Sequence, residues 1–199
     1  MGSYADDALF MSRNNIEYVE LISDDGKSKV MVIPAWQGRV MTTSAAGDEG
    51  DSYGWINYSF IKKRQIDLQF NPVGGEERFW LGPEGGVFSL YFRQGEKQIY
   101  KNWKVPPVLD IEAFKIQSQS KNCICLTKEG CLTNACGTTF YLNIKRTISL
   151  LDINEFAASF NLEFPKDIKA VAYKSDNQIT NIGNESWNKE TGLISVWML

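Results

Sequence analysis

The segment Gly74–Gly86 contains the residue types in this sequence that are best suited to chemistry. Among five glycines and one proline it sets an arginine, an indole and three carboxylates, which are Arg78, Trp80, Glu76, Glu77 and Glu84. Glycines permit tight turns and a close approach of the backbone to a ligand. Charged groups beside a Trp suit a polyol, because they hydrogen-bond its hydroxyls while the ring covers its apolar face. The alternative is a hairpin corner in which Arg78 pairs with a neighbouring carboxylate for structural reasons only.

Glu77 and Glu84 form a candidate acid–base pair within that segment. Two carboxylates in one cleft can have their pKa values driven apart, so that one serves as acid and the other as base. Loop carboxylates also bind backbone amides or an arginine, and the sequence does not decide between these roles. The catalytic residues are therefore left open, with Glu77 and Glu84 as candidates.

Two residues outside the segment could contact the same ligand. Arg39 follows Gly38 at the start of an apolar run and could clamp a sugar or form an ion pair with Glu76 or Glu77. Asn57 can donate and accept hydrogen bonds at once, as hydroxyl recognition requires, although an Asx turn would also explain it. The sequence thus predicts a ligand-binding set of Arg39, Asn57, Arg78 and Trp80.

The sequence contains no histidine, which excludes several kinds of site. A Ser-His-Asp or Cys-His arrangement and a His-ligated zinc site are impossible. Cys123, Cys125, Cys131 and Cys136 do not have the paired C-x2-C spacing of a structural zinc site. The preferred interpretation of the four cysteines is free thiols, followed by a disulfide and then by a metal site. The expectation is that the chain has no metal site and no cofactor. The acidic residues at Asp48–Asp51 could in principle bind calcium, but a solvated turn is the preferred interpretation.

Composition and charge narrow the classes of partner. The 199 residues are 43% hydrophobic with a formal net charge of -3, and no basic stripe is present, which argues against nucleic acid. No run of 18 apolar residues exists that could span a membrane. The first residues do not resemble a signal peptide. Localisation stays open, because a periplasmic or extracellular protein whose signal had been removed would look the same.

Strand patterns dominate the chain and predict an all-β fold. Ile16–Ile22 and Lys29–Ile33 flank a turn at Asp24–Lys27, as in a hairpin. The other predicted strands are Val40–Ser44, Phe79–Leu81, Val87–Phe92, Phe114–Ser118, Cys123–Thr127, Thr138–Leu150, Lys169–Thr180 and Leu193–Leu199. Short helices or turns are predicted at Asp51–Lys63 and, capped by Asp152 or Asn154, at Ile153–Phe160. Successive strands predict one antiparallel β-sandwich domain over residues 1–199.

The predicted last strand, Leu193–Leu199, is apolar and ends without a polar tail. Because termini are usually polar and frayed, this pattern predicts a buried strand truncated at the C-terminus, so that residues 1–199 form the N-terminal part of a longer domain. An open apolar strand is also a template for pairing, so self-association is expected if the continuation is missing.

Three parts of the sequence resemble the galactose-mutarotase-like (aldose-epimerase-like) superfamily. They are Ile33–Thr43, Gly50–Asn57 together with Gly74–Gly86, and Thr180–Trp187. The resemblance implies a large antiparallel β-supersandwich with a sugar-sized cleft on a concave sheet. Aldose epimerases use a His acid that this chain lacks, so the resemblance implies binding of a sugar or oligosaccharide more than mutarotase activity. The alternatives are a carbohydrate-active enzyme with further catalytic groups beyond Leu199 and a structural or interaction module.

Overall fold

The longest strands follow from strict alternation of apolar and polar residues. In the Thr139–Leu150 strand every second side chain, from Phe140 to Leu150, is buried, and the residues between them face outward. This is the period of two that a pleated strand requires when one face is wet. The computed structural model describes residues 2–165 and 167–199 and forms, in those residues, eleven strands and four α-helices.

The elements have the following bounds. The strands are β1 (Val19–Ile22), β2 (Lys29–Ile33), β3 (Arg39–Ser44), β4 (Trp55–Ile56), β5 (Gly74–Gly75), β6 (Phe79–Gly82), β7 (Lys115–Gln119), β8 (Cys123–Thr133), β9 (Thr139–Leu150), β10 (Tyr173–Asn181) and β11 (Ser195–Met198). The helices are α1 (Tyr4–Arg13), α2 (Tyr58–Lys62), α3 (Pro107–Asp110) and α4 (Ile153–Ser159).

The strands form antiparallel sheets that pack as a sandwich. One layer is the four-stranded sheet in the order β10-β9-β8-β7. The other contains β1-β2-β3, which a bridge between Val40 and Glu77 connects to the segment leading into β6, and β6 pairs with β11. The main core lies between these layers and includes side chains from β2, β3, β6, β8 and β9. The prediction of an all-β antiparallel sandwich is thus confirmed.

A second, smaller core lies on the opposite face of the β1-β2-β3 sheet, under α1. Tyr4 and Met11 of the helix pack there with Met31, Ile33 and Met41 of the sheet. The helix begins with a capping box, in which the Ser3 side chain accepts from the Asp6 amide and the Asp6 side chain accepts from the Ser3 amide. The sequence analysis did not predict this helix.

Two strand predictions need correction. Val87–Phe92 was predicted to be a strand, but it forms turns and bends, with the Ser89 hydroxyl donating to the Glu84 carbonyl and the Leu90 amide to the Pro83 carbonyl. The predicted strand at Leu193–Leu199 does form β11, but its residues Ser195–Met198 are all exposed, not buried. Apolar composition indicated a strand there, but it gave no information on whether another element covers the strand.

Candidate functional site

The site begins where two glycines let the chain turn toward the inside of the sandwich. Gly74 and Gly75 have φ values of +94° and +124°, which favour glycine. A Cβ atom on Gly75 would lie 2.6 Å from Arg39 Cδ, and one on Gly74 would lie 2.2 Å from the Trp55 carbonyl oxygen. Just beyond them the amides of Glu76 and Glu77 both donate to the Val40 carbonyl. This local irregularity places two successive carboxylates near the inner face of β10.

Glu77 is held by two strands of the four-stranded sheet. Its carboxylate forms an ion pair with Arg146 of β9 and accepts a hydrogen bond of 2.9 Å from the Ser175 hydroxyl of β10. Arg146 is fully buried and also donates to the Gly38 carbonyl at 3.0 Å and to Asn177 Oδ1 at 2.8 Å. Burial lowers the pKa of Arg146, and the nearby Glu77 opposes that shift. The guanidinium group is therefore fixed by three separate partners.

Glu76 lies beside Glu77 but has a different environment. Both of its carboxylate oxygens accept from the Thr43 hydroxyl, at 3.1 and 2.9 Å. Burial raises the pKa of Glu76, and the neighbouring Glu77 adds to that rise. A partly buried carboxyl group beside a second carboxylate is the arrangement that favours one protonated and one ionised partner.

Tyr173 completes the group at the start of β10. Burial raises the pKa of the Tyr173 hydroxyl, and Glu76 and Glu77 raise it further, so the hydroxyl stays a neutral donor. We call Glu76, Glu77, Tyr173, Ser175 and Asn177 the β10 cleft. All five are only partly buried. At its β11 side, Asn177 Nδ2 lies 3.3 Å from the Met198 sulfur atom. The cleft thus presents carboxylates, hydroxyls and an amide at a half-open edge of the sandwich.

Arg78, next to Glu77 in the chain, belongs to a different and closed network. Its guanidinium group donates to Asp110 Oδ1 and to the Leu109 carbonyl, both at 3.0 Å, and lies 4.0 Å from the centre of the Trp80 ring. Asp110 also accepts from the amide and the side chain of Asn71. Burial lowers the pKa of Arg78, and Asp110 opposes that shift. The sequence analysis predicted Arg78 as a ligand contact, with a neighbouring carboxylate as its alternative partner, and in neither case indicated Asp110.

The other predicted ligand contacts have structural surroundings. Trp80 is 2% exposed, packs against Phe70 and Tyr91, and donates to Glu84 Oε1 at 2.6 Å. Asn57 caps α2, because its side chain accepts from the Phe60 amide and donates to the Pro72 carbonyl.

Arg39 is also 2% exposed and donates to the Gly74 carbonyl at 2.5 Å, while its Nε atom has no partner among the described residues. Burial lowers the pKa of Arg39 to about 9, and the nearby Arg78 adds to that effect. Of the predicted site residues, Glu77 lies in the β10 cleft, whereas Arg39, Arg78, Trp80 and Glu84 lie in or beside the closed region.

The whole described chain corresponds to one family model, which matches residues 2–199. The chain belongs to DUF6786, a family of unknown function. Comparison with curated proteins and with solved structures gives no match. For this DUF6786 chain, arguments about function therefore depend on the geometry of the site.

Three residues of the β10 cleft and the Arg146 that pairs with Glu77 were not singled out in the sequence analysis, although Arg146 carries a local sequence signal. The buried positions of β9 are Phe140, Leu142, Ile144, Arg146, Ile148 and Leu150. A lone arginine in that series is a charged residue at an inward-facing position, which requires a buried partner. Tyr173, Ser175 and Asn177 alternate in the same way on β10, but the contact of Ser175 with Glu77 spans nearly a hundred residues and has no local signal.

In the described part of this DUF6786 chain, no group of three or more Cys, Asp or Glu side chains is placed to hold a metal ion. All four cysteines are free thiols, and Cys123 and Cys125 lie on β8. Asp48, in the acidic turn, forms an ion pair with Lys29, in which Oδ1 of Asp48 lies 2.7 Å from Nζ of Lys29. No described helix is long and apolar enough to cross a membrane.

Proposed function

We propose that the β10 cleft binds a sugar or oligosaccharide and that the chain is a carbohydrate-binding β-sandwich of the galactose-mutarotase-like type. The observation that carries the proposal is the meeting of Glu76, Glu77, Tyr173, Ser175 and Asn177 at a half-open edge. Together they offer carboxylate, hydroxyl and amide groups, and polyol hydroxyls require partners that both donate and accept.

The position of the cleft supports the same proposal. It lies on the inner face of a twisted antiparallel sheet, where the resemblance to mutarotase-like proteins implies a sugar cleft. Arg146 and Ser175 fix the Glu77 carboxylate before any ligand binds, so little conformational entropy would be lost on binding. Arg39, Arg78 and Trp80 then support the segment from behind and make no ligand contact of their own.

Calorimetric titration with a panel of monosaccharides and short oligosaccharides tests this proposal. Tyr173→Phe removes one hydroxyl from the cleft and should weaken binding by about 0.5–1.5 kcal/mol, or roughly 2- to 12-fold in Kd. Tyr141→Phe is the matched control, because Tyr141 is 55% exposed on the outer face of β9. If no sugar in the panel binds, or if the two variants lose affinity equally, the proposal fails.

A second candidate, a carbohydrate-active enzyme, is favoured by one specific observation. The raised pKa of Glu76 beside the ion-paired Glu77 matches a proton donor next to an ionised carboxylate. This pair replaces the predicted pair of Glu77 and Glu84, because Glu84 is engaged with the Trp80 indole.

Mutarotation and hydrolysis of chromogenic glycosides test the enzyme candidate directly. Glu76→Gln should abolish the alkaline limb of the pH–rate profile and reduce kcat, while Glu129→Gln, on the outer face of β8, should leave both unchanged. Full activity in Glu76→Gln would rule out the acid role. Sugar binding without turnover would support the carbohydrate-binding proposal and contradict the enzyme candidate.

A further inference from the structure

The two edges of the four-stranded sheet are protected to very different degrees. β7 is five residues long, begins with a lysine, and has a register shift between Ile116 and Ser118. β10 is nine residues long and pairs with β9 without any register shift from Tyr173 to Asn181. Short edge strands, bulges and charges are the features by which proteins prevent edge pairing. β10 lacks the first two of these, so it is the edge open to another strand.

Two hydrogen bonds show which β10 groups point toward the open edge. The Leu151 amide donates to the Ala172 carbonyl, and the Ile182 amide donates to the Tyr141 carbonyl. Residues 172 and 182 therefore direct their backbone groups toward β9, and every second residue between them does the same. The odd-numbered residues of β10, including Tyr173, Ser175 and Asn177, direct their amides and carbonyls away from β9.

We propose that the partner at this edge is a second copy of this chain, paired β10 to β10 in an antiparallel arrangement about a two-fold axis at Ser175. In that register the outward-directed groups of Tyr173 meet those of Asn177 of the second copy, and Ser175 meets its own counterpart. The even-numbered residues then form the narrow, non-hydrogen-bonded pairs, in which side chains are closest. Lys174 lies opposite Asp176 of the second copy, twice across the axis.

The charges select this register among its neighbours. An axis at Lys174 would place two lysines opposite each other, and an axis at Asp176 would oppose two aspartates; both arrangements are destabilising. An axis at Asn177 would place Lys174 opposite a threonine and Asp176 opposite a glutamine, without any charge pairing. Only the axis at Ser175 pairs both charges of this stretch with opposite charges.

The exposed apolar residues of β11 support the same contact. Val196 and Met198 are 43% and 41% exposed, and Met198 reaches Asn177 of β10. A two-fold axis perpendicular to the joined sheet keeps the β11 strands of both copies on the same face of that sheet. The apolar side chains of each β11 can therefore help to cover those of the other copy. The pairing would also place Asn177 of the second copy beside Tyr173, which extends the β10 cleft across the axis. The inference does not depend on what the cleft binds.

Sedimentation velocity of the full chain over a wide range of concentration tests the proposal through charge reversal. The wild type should show a concentration-dependent dimer. Lys174→Asp and Asp176→Lys should each raise the dimer dissociation constant roughly tenfold, because each single change turns two attractive pairs into repulsive ones. The double variant with both changes should recover wild-type dimerisation, since the charges are merely exchanged.

Lys115→Asp is the matched control, because Lys115 is exposed on β7, at the opposite edge of the four-stranded sheet. It should dimerise as the wild type does. Circular dichroism establishes that each variant is folded. A wild type that stays monomeric at all concentrations would overturn the proposal, as would a folded double variant that fails to recover the dimer. Sugar binding measured in parallel reports on the β10 cleft separately.

Discussion

Glu77 and Arg78 are adjacent in the sequence, yet each forms an ion pair in a different region of the molecule. Glu77 pairs with Arg146 inside the sandwich, at the half-open β10 cleft. Arg78 pairs with Asp110 on the opposite side, within a layer formed by Phe70, Trp80, Tyr91 and Trp103. Successive residues of an extended segment point to opposite faces. A shift of one residue therefore separates a candidate ligand contact from a structural contact.

The two ion pairs differ in the groups that surround them. Around Arg78, Tyr91 stacks on Trp103 at 5.5 Å and the Tyr91 hydroxyl donates to the Leu81 carbonyl, so the layer is closed by aromatic rings. Around Glu77 and Arg146, the contacts on β10 are the Ser175 hydroxyl and the Asn177 amide oxygen, on a partly exposed strand. Removal of Arg78 leaves Asp110 as a buried charge without its cation, whereas neutralisation of Glu77 leaves the buried Arg146 with two other acceptors, the Gly38 carbonyl and Asn177 Oδ1.

The largest effect is expected for the closed pair. Arg78→Ala should lower the free energy of unfolding by about 3–5 kcal/mol, because Asp110 would remain as a buried charge without its cation. Urea denaturation measures this. Lys121→Ala is the control, since its pair with Asp24 is at the surface and should contribute nothing measurable. A loss as small as that of the control would show that the layer admits water.

A smaller loss is expected at the cleft. Glu77→Gln should reduce the free energy of unfolding by about 1.5–3 kcal/mol, the usual contribution of hydrogen bonds to charged groups, because the buried Arg146 keeps the Gly38 carbonyl and Asn177 Oδ1 as acceptors. Glu129→Gln on the outer face of β8 provides the control for urea denaturation. A loss equal to that in Arg78→Ala would mean that the remaining acceptors of Arg146 do not compensate for the lost ion pair.

Local patterns were sufficient to predict much of the framework. The β1–β2 hairpin, the long β9 strand and helix α4 with its Asp152 cap were all predicted and are present. Each depends on interactions between residues close in the sequence, such as a turn, an alternation or a cap. Helix α1 was missed because it is only weakly amphipathic, so its apolar residues show little helical periodicity. The capping box formed by Ser3 and Asp6 is nevertheless a local signal for the start of a helix.

The site was only partly predictable, because its contacts span long stretches of the chain. The glycine-rich segment pointed to Glu77 and Arg78, but their partners come from β9 and from α3. The sequence analysis therefore predicted Arg78 as a ligand contact and considered, as the alternative, only carboxylates close to it in the chain. Only the lone arginine at an inward position of β9 could have indicated the Glu77 partner in advance.

The smallest effect is expected from Glu76, and its size depends on pH. Burial beside Glu77 raises the pKa of Glu76 in the folded protein above the ordinary value of 4.5. Between those two pKa values the folded state binds the proton more tightly, so this group's contribution to the free energy of unfolding falls as the pH rises. Above the folded pKa the ionised carboxylate has its full destabilising effect. Below the ordinary value the folded and unfolded states are both protonated.

Glu76→Gln should therefore raise the Tm at pH 7, since the amide still accepts from the Thr43 hydroxyl but carries no charge. The difference from the wild type should shrink as the pH is lowered toward the ordinary glutamate pKa, where the wild-type carboxyl becomes neutral as well. Glu129→Gln, measured over the same pH series, shows the behaviour of an exposed carboxylate. A Tm difference that grows on acidification would mean that an ionised Glu76 stabilises the fold, and that this carboxyl group is not the proton-retaining partner in the β10 cleft.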